Sequence, residues 1–445
     1  MTEIRTYEEA VSYLEALPLF AKTKNPGSVA RLLDLLGHPE EGFHVIHVAG
    51  TNGKGSTCAF LESVFRGMGR KTGLFTSPHL VRINERIRIC GREISDDDFL
   101  ESFLEMQRSF GQLKEEDGQE MTYFEHLFVI ALCAFRAQGI ELLVCETGMG
   151  GRLDVTNAIA RVDAVVITSI SLDHTQYLGE TVEEIAAEKA GIIREGTPVI
   201  YSAKDPRSAG VIARRAEEKG AEQIPLTEED FSITERSGGS IRAVLSCTQD
   251  RTLSLHIPFG AEYQAENACL AALCALRLGA DPAYVTAGIG QTRWPGRMDE
   301  IRPGVFLDGA HNPDGISQIA SEIRRAAQTQ SVWLLTAIVS DKKHTQMVRE
   351  LCRGIRYAGV IVTSVGGGRQ LDAQTLASEF RAAGQARVEI QADAGTAYRK
   401  ALSVKGSSVL FCVGSLYLAG EILAIERSAG QQALHGSQRK QCAAD

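Results

Sequence analysis

The chain has 445 residues, 44% of them hydrophobic, and carries a formal net charge of −9 at pH 7. At roughly 150 residues per domain, this length predicts two or three domains with sizeable cores rather than a disordered chain. The acidic balance provides no general field for attracting nucleic acid or an anionic membrane. No apolar run reaches the roughly 18 residues of a membrane span.

The opening segment and the cysteines both indicate the cytoplasm. The segment MTEIRTYEEA carries acidic side chains where a signal peptide would have basic residues and then an apolar run. The ten cysteines are scattered, without a CxxC pair or zinc-finger spacing, and most lie inside apolar runs. We therefore expect buried free thiols in a reducing compartment.

Strand-like and helix-like segments alternate along the first half of the chain. Capping-box patterns at Thr6–Glu9 and Thr122–Glu125 each predict the start of a helix. Another helix is expected from Lys54 to about Arg66. Short apolar runs predict strands at 43–49, 71–75, 141–146 and 163–170. Continuous β-branched runs are typical of central strands in a parallel sheet, so we expect a doubly wound α/β domain.

The second half of the chain begins less regularly and then resumes the alternation. Residues 203–260 are more polar and predict only peripheral strands or hairpins. The tripeptide 294–296, Trp-Pro-Gly, resembles a hinge. Four later runs each predict a strand with a polar or glycine-containing end, at 305–313, 331–338, 359–364 and 407–414. We therefore predict two domains, residues 1–296 and residues 297–445, the second with a Rossmann-like α/β sheet.

The sequence GTNGKGST at residues 50–57 lies between a predicted strand and a predicted helix. Its glycines allow successive backbone amides to point at an anion, and the helix N-terminus adds a partial positive charge. This pattern predicts a phosphate site in which Lys54 reaches the terminal phosphates and Ser56 or Thr57 faces magnesium. The generic pattern G-x-x-x-x-G-K-[ST] is not met, because valine and glycine stand where it requires glycine and a hydroxyl residue. The alternative is a plain glycine turn.

The segment HVAGTNGKGST resembles the phosphate loop shared by folylpolyglutamate synthases and Mur ligases, and a glycine directly after the lysine is typical of the folate enzymes. The resemblance continues through LFTSPHLVRINERIRICGREIS, CETGMGGRLDVTN, AEYQAENACLAAL, FLDGAHNPDG and CVGSLYLAGE. It implies an N-terminal Mur ligase-like domain that carries the phosphate loop, followed by a C-terminal glutamate ligase domain. One departure is Tyr263, where the family often has histidine.

The resemblance implies three magnesium ligands, Ser77, Glu146 and His174. Glu146 ends an apolar run, at the carboxyl edge of a sheet where α/β proteins bind ligands. A shell completed by water and ATP phosphates is normal for magnesium. Each residue also has a structural explanation: Ser77 could cap a turn, Glu146 could pair with Arg152, and a lone histidine is usually structural.

The resemblance also implies which residues bind the substrates. The nucleotide would contact Gly53, Lys54, Gly55, Ser56, Asn267, Arg297 and Asp308. A folate or pteroate acceptor would contact Thr122, Tyr123, Phe124, Glu125, Leu153, Asp154, Val155 and the loop at residues 22–28. Glutamate would bind near Ser415 and near His311, which is also a candidate catalytic residue, and Lys342 is a further candidate.

A capping box at Thr181–Glu184 predicts a helix on which Lys189 lies within an apolar stripe. A lysine in such a place must extend to solvent, find a partner such as Glu188, or lose its charge. The segment EKAGI is similar to the family's segment whose lysine is carbamylated by carbon dioxide. The resemblance therefore implies that Lys189 is a catalytic carbamate, which would join His174 around a second magnesium ion.

Together these features imply an ATP-dependent ligase that adds L-glutamate to the γ-carboxylate of folate through an acyl phosphate. Glutamate transfer to 7,8-dihydropteroate stays open. The expected partners are small molecules, namely ATP, magnesium, glutamate and a folate or dihydropteroate, and we expect a monomer.

One alternative is a Mur-type ligase acting on a peptidoglycan precursor, which the TSPHL and ETGMGGRLD blocks disfavour. Another is a nucleotide-gated binding protein without transfer chemistry. A Ser-His-Asp hydrolase is unsupported, because no G-x-S-x-G elbow occurs.

Overall fold

The computed structural model describes residues 4–19, 26–117, 120–237, 239–248 and 251–441. Its helices are α1 (Tyr7–Glu15), α2 (Pro26–Leu35), α3 (Lys54–Gly67), α4 (Asp96–Asp117), α5 (Tyr123–Ala137), α6 (Thr175–Leu178), α7 (Val182–Ala190), α8 (Pro206–Glu218), α9 (Tyr263–Arg277), α10 (Pro282–Gln291), α11 (Pro313–Ala326), α12 (His344–Cys352), α13 (Ala373–Ala382), α14 (Ala394–Lys405) and α15 (Leu416–Gln441). Within these residues, no helix is both long enough and apolar enough to cross a membrane.

The strands are β1 (His44–Ala49), β2 (Thr72–Phe75), β3 (Ile87–Ile89), β4 (Arg92–Glu93), β5 (Leu142–Glu146), β6 (Ala164–Ile167), β7 (Val199–Ser202), β8 (Gln223–Leu226), β9 (Phe231–Ser237), β10 (Ser240–Thr248), β11 (Arg251–Ile257), β12 (Asp299–Arg302), β13 (Val305–Leu307), β14 (Val332–Thr336), β15 (Gly359–Val362), β16 (Val388–Ile390) and β17 (Val409–Val413). Short 3-10 helices lie at Pro39–Gly42, Ile83–Arg86, Val155–Ala158 and Gly367–Arg369.

The chain divides into two compact units, and each unit is discontinuous in sequence. Met1–Pro258 and Tyr263–Arg293 form the first unit, whereas Phe259–Glu262 and Trp294–Asp445 form the second. The tripeptide 294–296 therefore belongs to the second unit. Helices α9 and α10 belong to the first unit, although they follow residues 259–262 in the chain.

An eight-stranded sheet forms the centre of the first unit, in the order β4-β3-β2-β5-β1-β6-β7-β8. The strands from β2 to β8 in this order are parallel, and β3 and β4 add an antiparallel edge. The residues of β5 and β6 are buried on both faces of the sheet, which is the position that continuous apolar runs suit. The predicted doubly wound α/β fold is confirmed.

The order of the strands creates a crevice at β1. The chain leaves β1 through α3 toward β2, and it leaves β6 through α7 toward β7 on the opposite side. The carboxyl ends of β1 and β6 therefore border the place where open α/β sheets bind ligands. The glycine-rich loop that follows β1 lies at this place.

Three predicted capping boxes are present at the starts of α1, α5 and α7. Thr6, Thr122 and Thr181 each accept a hydrogen bond from the backbone N–H of the glutamate three residues later, and that glutamate bonds back to the threonine N–H. Each box satisfies donors that a helix start leaves unpaired. The predicted start of each helix is thus correct.

The polar segment 203–260 adds peripheral elements to the first unit. Strand β8 extends the edge of the main sheet, as an expected peripheral strand would, whereas helix α8 was not predicted. Strands β9, β10 and β11 form a separate antiparallel sheet, as the expected peripheral hairpins would. Alternate residues of β10 are buried, so this sheet has one covered face.

A six-stranded sheet forms the second unit, in the order β12-β13-β17-β14-β15-β16. Every neighbouring pair is parallel except β12 with β13. The four predicted strands supply β13, β14, β15 and β17. The edge strands β12 and β16 were not predicted, because they are short and only partly buried and so lack an apolar run.

Helix α3 packs closely against α10. A Cβ atom built on Gly288 of α10 would lie 2.5 Å from the Cα of Val64 in α3. The Ser63 hydroxyl donates a hydrogen bond to the Gly288 carbonyl at 2.7 Å. Glycine is therefore required where these two backbones touch.

We expect Gly288→Ala to lower the free energy of unfolding by about 1–3 kcal/mol, since the added methyl group must push α10 away from α3. Gly290→Ala is the matched control, because a Cβ at that position would meet nothing nearer than 3.6 Å. We expect it to be neutral or stabilising by about 0.5–1 kcal/mol. Urea denaturation of both variants measures the difference, and equal stabilities would contradict the packing argument.

Candidate active site

The glycine-rich loop after β1 is braced by the segment after β6. The Thr168 hydroxyl donates to the Asn52 carbonyl at 2.7 Å, and the Thr51 N–H donates to the Ser169 carbonyl at 2.8 Å. A Cβ on Gly50 would lie 1.8 Å from Thr168 Oγ1, so only glycine fits this close approach. The predicted loop therefore has a fixed shape at the mouth of the crevice.

Helix α9 packs against the other side of the same loop. Gly53 has a φ of 86°, and a Cβ there would lie 2.1 Å from Asn267 Oδ1. Asn267 donates to Gln264 Oε1 at 3.1 Å, and Gln264 donates to Ser56 Oγ at 3.2 Å. The Ser56 hydroxyl is 2% exposed and bonded to Gln264, so it does not point into open space. Gln264 stands in the quoted family block but was not predicted as a contact.

Lys54, Glu146 and Ser77 lie together beside the loop. Lys54 Nζ is 3.9 Å from Glu146 Oε1 and donates to the Thr51 carbonyl at 3.2 Å. The backbone N–H of Ser77 donates to Glu146 Oε2 at 3.0 Å, and Glu146 is 3% exposed. The alternative partner for Glu146 is wrong, because Arg152 pairs with Glu188 at 2.8 Å instead. The predicted phosphate-binding lysine and the predicted metal carboxylate are therefore neighbours.

A cavity of about 550 Å³ opens next to Ser77. It brings together the residues implied in acceptor binding and two of the implied metal ligands: Thr122, Tyr123, Phe124, Glu125, Leu153, Asp154, Val155, Ser77 and His174 all line it. Residues 22–25 of the implied acceptor loop lie outside the described residues. The end of that loop begins α2, which contributes Val29 and Ala30 to the lining.

The cavity combines an apolar wall with polar groups that are already engaged. The rings of Phe124 and Phe75 lie 5.7 Å apart, and a Cβ on Gly148 would lie 2.5 Å from the Phe124 ring. Glu125 Oε2 accepts the Thr122 N–H at 2.7 Å, so this carboxylate caps α5. Apolar and aromatic linings with a few fixed polar groups are typical of small-molecule sites.

The cavity also contains a buried cation that sequence reasoning missed. The Arg86 guanidinium lies 5.3 Å from the centre of the Tyr123 ring, and its Nε donates to His79 Nδ1 at 2.9 Å. Burial and the Arg86 charge lower the pKa of His79 to about 4, so the neutral ring can accept this bond. Arg86 stands in the quoted segment LFTSPHLVRINERIRICGREIS, but no role was predicted for it.

Lys189 of α7 lies directly beneath the loop. Its side chain is 4% exposed, and Nζ donates to the Gly50 carbonyl at 2.7 Å. Burial lowers the pKa of Lys189 to about 7, and the charge of Lys54 acts in the same direction. Asp173, Asp154 and Glu146 partly oppose this effect. The lysine therefore neither extends to solvent nor pairs with Glu188.

In the second unit, Asp308 holds the segment that carries Arg297. Asp308 Oδ2 accepts the Met298 N–H at 2.8 Å, and Oδ1 accepts the Ala310 N–H at 2.7 Å. The Gly309 N–H donates to the Gly296 carbonyl at 2.9 Å. The buried Asp308 carboxylate thus holds the backbone that follows Arg297, and the Gly309 N–H holds the backbone that precedes it.

The remaining predicted residues of the second unit are His311, Ser415 and Lys342. His311 Nδ1 lies 2.9 Å from the Gly309 carbonyl, so that nitrogen carries the hydrogen. Ser415 is buried, and its hydroxyl accepts the Tyr417 N–H at 3.1 Å as the cap of α15. Lys342 lies half-buried in the loop between β14 and α12. Ser415 thus has a structural role in this fold.

Comparison with known proteins identifies the class of these two units. The Mur ligase middle domain matches residues 48–275, and the Mur ligase glutamate ligase domain matches residues 296–416. A dihydrofolate synthase/folylpolyglutamate synthase of Bacillus subtilis is 33% identical over 362 residues, which cover 78% of this chain and 82% of that protein. The structure of Mycobacterium tuberculosis folylpolyglutamate synthase complexed with ADP has a TM-score of 0.86 at 29% identity, covering 94% of this chain and 98% of that one.

A longer relative agrees with these matches. A probable bifunctional folylpolyglutamate synthase/dihydropteroate synthase of Haloferax volcanii is 33% identical over 424 residues, or 93% of this chain. The chain spans only 50% of the length of that relative. This chain therefore belongs to the Mur ligase family and, within it, to the group of folylpolyglutamate synthases and dihydrofolate synthases. The resemblance inferred from the sequence blocks is confirmed.

The low pKa of Lys189 predicts a pH-dependent contribution to stability. An unfolded lysine has a pKa of about 10.4, so between about pH 7 and 10 the unfolded chain binds more protons than the folded one. The free energy of unfolding should therefore rise with pH in this window. Lys189→Met removes the titrating amine and with it this effect. Relative to this variant, we expect the free energy of unfolding of the wild type to rise by about 1 kcal/mol per pH unit.

Urea denaturation at pH 7.5, 8.5 and 9.5 in buffers free of carbon dioxide measures this difference. Lys71→Met provides the control, because it makes the same substitution at an exposed position. Parallel curves for the wild type and Lys189→Met would contradict a buried amine with a lowered pKa.

Proposed function

We propose that this chain is an ATP-dependent ligase that joins L-glutamate to the carboxylate of a folate, with 7,8-dihydropteroate as a second acceptor of the same cavity. The observation that carries the proposal is the position of Ser77. Its backbone bonds Glu146 beside Lys54, and the same residue lines the 550 Å³ cavity. An acceptor in the cavity would thus present its carboxylate next to the phosphate loop.

The reaction would proceed in two steps. An oxygen of the acceptor carboxylate attacks the γ-phosphorus of ATP, ADP leaves, and an acyl phosphate forms. The amine of glutamate then attacks the acyl carbon, phosphate leaves, and an amide bond remains. Because a carboxylate must approach a polyanion, the chain has to supply positive charge, and Lys54 is placed to do so.

The residues beside Lys54 fit a magnesium ion. Among the described residues, no group of three or more His, Cys, Asp or Glu side chains could hold a metal by itself. Magnesium commonly uses one or two carboxylates together with water and substrate phosphates, which Glu146 and the Ser77 hydroxyl would complement. When bound, the ion would neutralise charge on the phosphates. We propose His174, which lines the same cavity, as a further ligand.

The second unit would supply the remaining groups. We propose that Arg297 contacts the ATP phosphates, since a guanidinium binds phosphate oxygens with two parallel hydrogen bonds. Asp308 would act by holding the backbone of that segment rather than by binding ribose directly. His311 is the proposed group near the incoming glutamate.

We further propose that Lys189 is carbamylated in the active enzyme. Only a neutral amine attacks carbon dioxide, and a pKa of about 7 leaves about half of the amine neutral at pH 7. The reaction forms an N–C bond and releases a proton. A carbamate nitrogen keeps one hydrogen, so it could still donate to the Gly50 carbonyl, and its new negative charge would face Lys54.

Two alternatives make different predictions. A Mur-type ligase would share the chemistry and differ in its acceptor, but the relatives found at 33% identity favour a folate acceptor. A nucleotide-gated binding protein would hydrolyse ATP without consuming glutamate.

The decisive experiment incubates the purified chain with MgATP, glutamate and either dihydropteroate or a reduced folate. We expect phosphate release that requires both glutamate and the acceptor, and a product heavier by one glutamyl residue in mass spectrometry. Phosphate release without glutamate consumption would favour the binding protein. Turnover of a nucleotide-linked peptidoglycan precursor alone would favour the Mur-type acceptor.

Within this assay, Lys54→Ala should reduce ligation by at least about 100-fold, because it removes the cation nearest the proposed phosphate site. Lys71→Ala, the loss of an exposed lysine in the same unit, should leave turnover unchanged. Circular dichroism should show that both variants are folded. Normal ligation by a folded Lys54→Ala variant would overturn the assignment of the loop.

The carbamate makes its own prediction. Lys189→Ala should lose most activity, and a short carboxylic acid added to the medium should restore part of it by replacing the missing carboxylate. In the wild type, ¹³C-labelled bicarbonate should give a carbamate signal that Lys189→Ala lacks. Undiminished turnover of Lys189→Ala, or full wild-type activity without that signal, would refute the modification.

A further inference from the structure

A buried histidine lies behind the cavity and takes no part in the proposed chemistry. His47 of β1 is 0% exposed, and its Nε2 lies 2.8 Å from the hydroxyl of Thr156. Thr156 belongs to the short 3-10 helix Val155–Ala158, which follows Asp154 along the cavity wall. The ring therefore contacts the back of the wall rather than the cavity itself.

The direction of each hydrogen bond follows from the donors that are present. The Thr156 hydroxyl lies 2.6 Å from Asp154 Oδ1, to which it donates, because a carboxylate oxygen accepts. The hydroxyl oxygen must then accept from His47, so Nε2 carries the ring hydrogen. Burial and the charge of Arg194 lower the pKa of His47 to about 3, which keeps the ring neutral with Nδ1 as an unprotonated acceptor. Nδ1 is buried without a hydrogen-bond partner, as this tautomer allows.

This chain of bonds fixes the carboxylate in the cavity wall. Asp154 Oδ1 also accepts the Thr156 N–H at 3.1 Å, and Oδ2 accepts the Met149 N–H at 2.8 Å. Both Asp154 and Met149 line the cavity. His47 is thus the end of a series of hydrogen bonds that orients the Asp154 carboxylate in the cavity wall.

A second contact holds the same wall from the same side. The Arg194 guanidinium donates through Nη2 to the carbonyls of Asn157 and Ile159, at 2.6 and 2.9 Å. Asn157 lines the cavity. Two contacts within the protein therefore hold the wall formed by residues 149–159 from behind.

We propose that His47 is a positioning residue for the acceptor, acting through Thr156 to orient the Asp154 carboxylate, and that it links the acceptor wall to the strand that leads into the phosphate loop. The link is direct, since His47 precedes Gly50 in β1 and the loop after it. The inference rests on the proposed function for the identity of the acceptor, but the bracing of the wall is a property of the free protein.

The test compares paired variants of both partners. His47→Leu and Thr156→Val remove the bond, whereas His47→Gln and Thr156→Ser keep a side-chain N–H and a hydroxyl. We expect the first pair to raise the KM for the acceptor about tenfold, with kcat and the KM for ATP within about twofold of the wild type. The second pair should recover most of the loss. The double variant His47→Leu/Thr156→Val should have an acceptor KM no higher than that of either single variant, because both substitutions break the same series of hydrogen bonds.

Hydrogen–deuterium exchange of residues 147–159 in the free protein supplies a readout that does not depend on turnover. We expect faster exchange in His47→Leu and Thr156→Val, and wild-type rates in the conservative variants. If the wild type ligated neither acceptor but exchange rose as expected, the proposed function would fail and the bracing would stand. If His47→Leu failed to fold, the pair Thr156→Val and Thr156→Ser would decide. Unchanged acceptor KM and unchanged exchange in folded Thr156→Val would overturn the inference.

Discussion

The close approach of the loop after β1 to the segment after β6 is the constraint on which the rest of the first unit depends. Gly50 touches Thr168 so closely that no side chain fits between them, and the Thr168 hydroxyl bonds the loop from within. This contact exists because β1 and β6 pair in parallel with Ala49 beside Ile167, so that the next residues, Gly50 and Thr168, leave the sheet side by side. Without this contact, a glycine-rich loop at a helix start could adopt several conformations. Its backbone amides would then not converge on one anion.

Charge in the site follows from this constraint. Lys54 and Lys189 both contact carbonyls of the same loop, one from its open side and one from beneath. Burial lowers the pKa of Lys189, and the charge of Lys54 acts in the same direction. Glu146 lies beside Lys54 and thereby ties the loop to Ser77 and the cavity. The buried position of Lys189 thus favours the neutral form of its amine.

Much of the fold could be predicted because its signals are local. Apolar runs identified the central strands, and capping boxes identified the starts of α1, α5 and α7. The residue blocks located the cavity lining. His47 and Arg86 were missed because their partners are distant in sequence: His47 meets Thr156, which is 109 positions away, and Arg86 lies against the ring of Tyr123. The residues that flank each of them in the sequence do not indicate these partners. Strand β16 was missed because a short, half-buried edge strand has no continuous apolar run.

The discontinuity of the first unit has a consequence for synthesis on the ribosome. The sheet of that unit is complete when residue 226 has been made, yet α9 and α10 lie beyond residue 262. Until those helices emerge, Gly53 lacks its neighbour Asn267, and α3 lacks α10, whose Gly288 packs on Val64. The nascent chain therefore holds an apolar face of α3 uncovered while residues 259–262, which belong to the other unit, are being added. For that interval, the surface of α3 that α10 will bury is exposed to solvent.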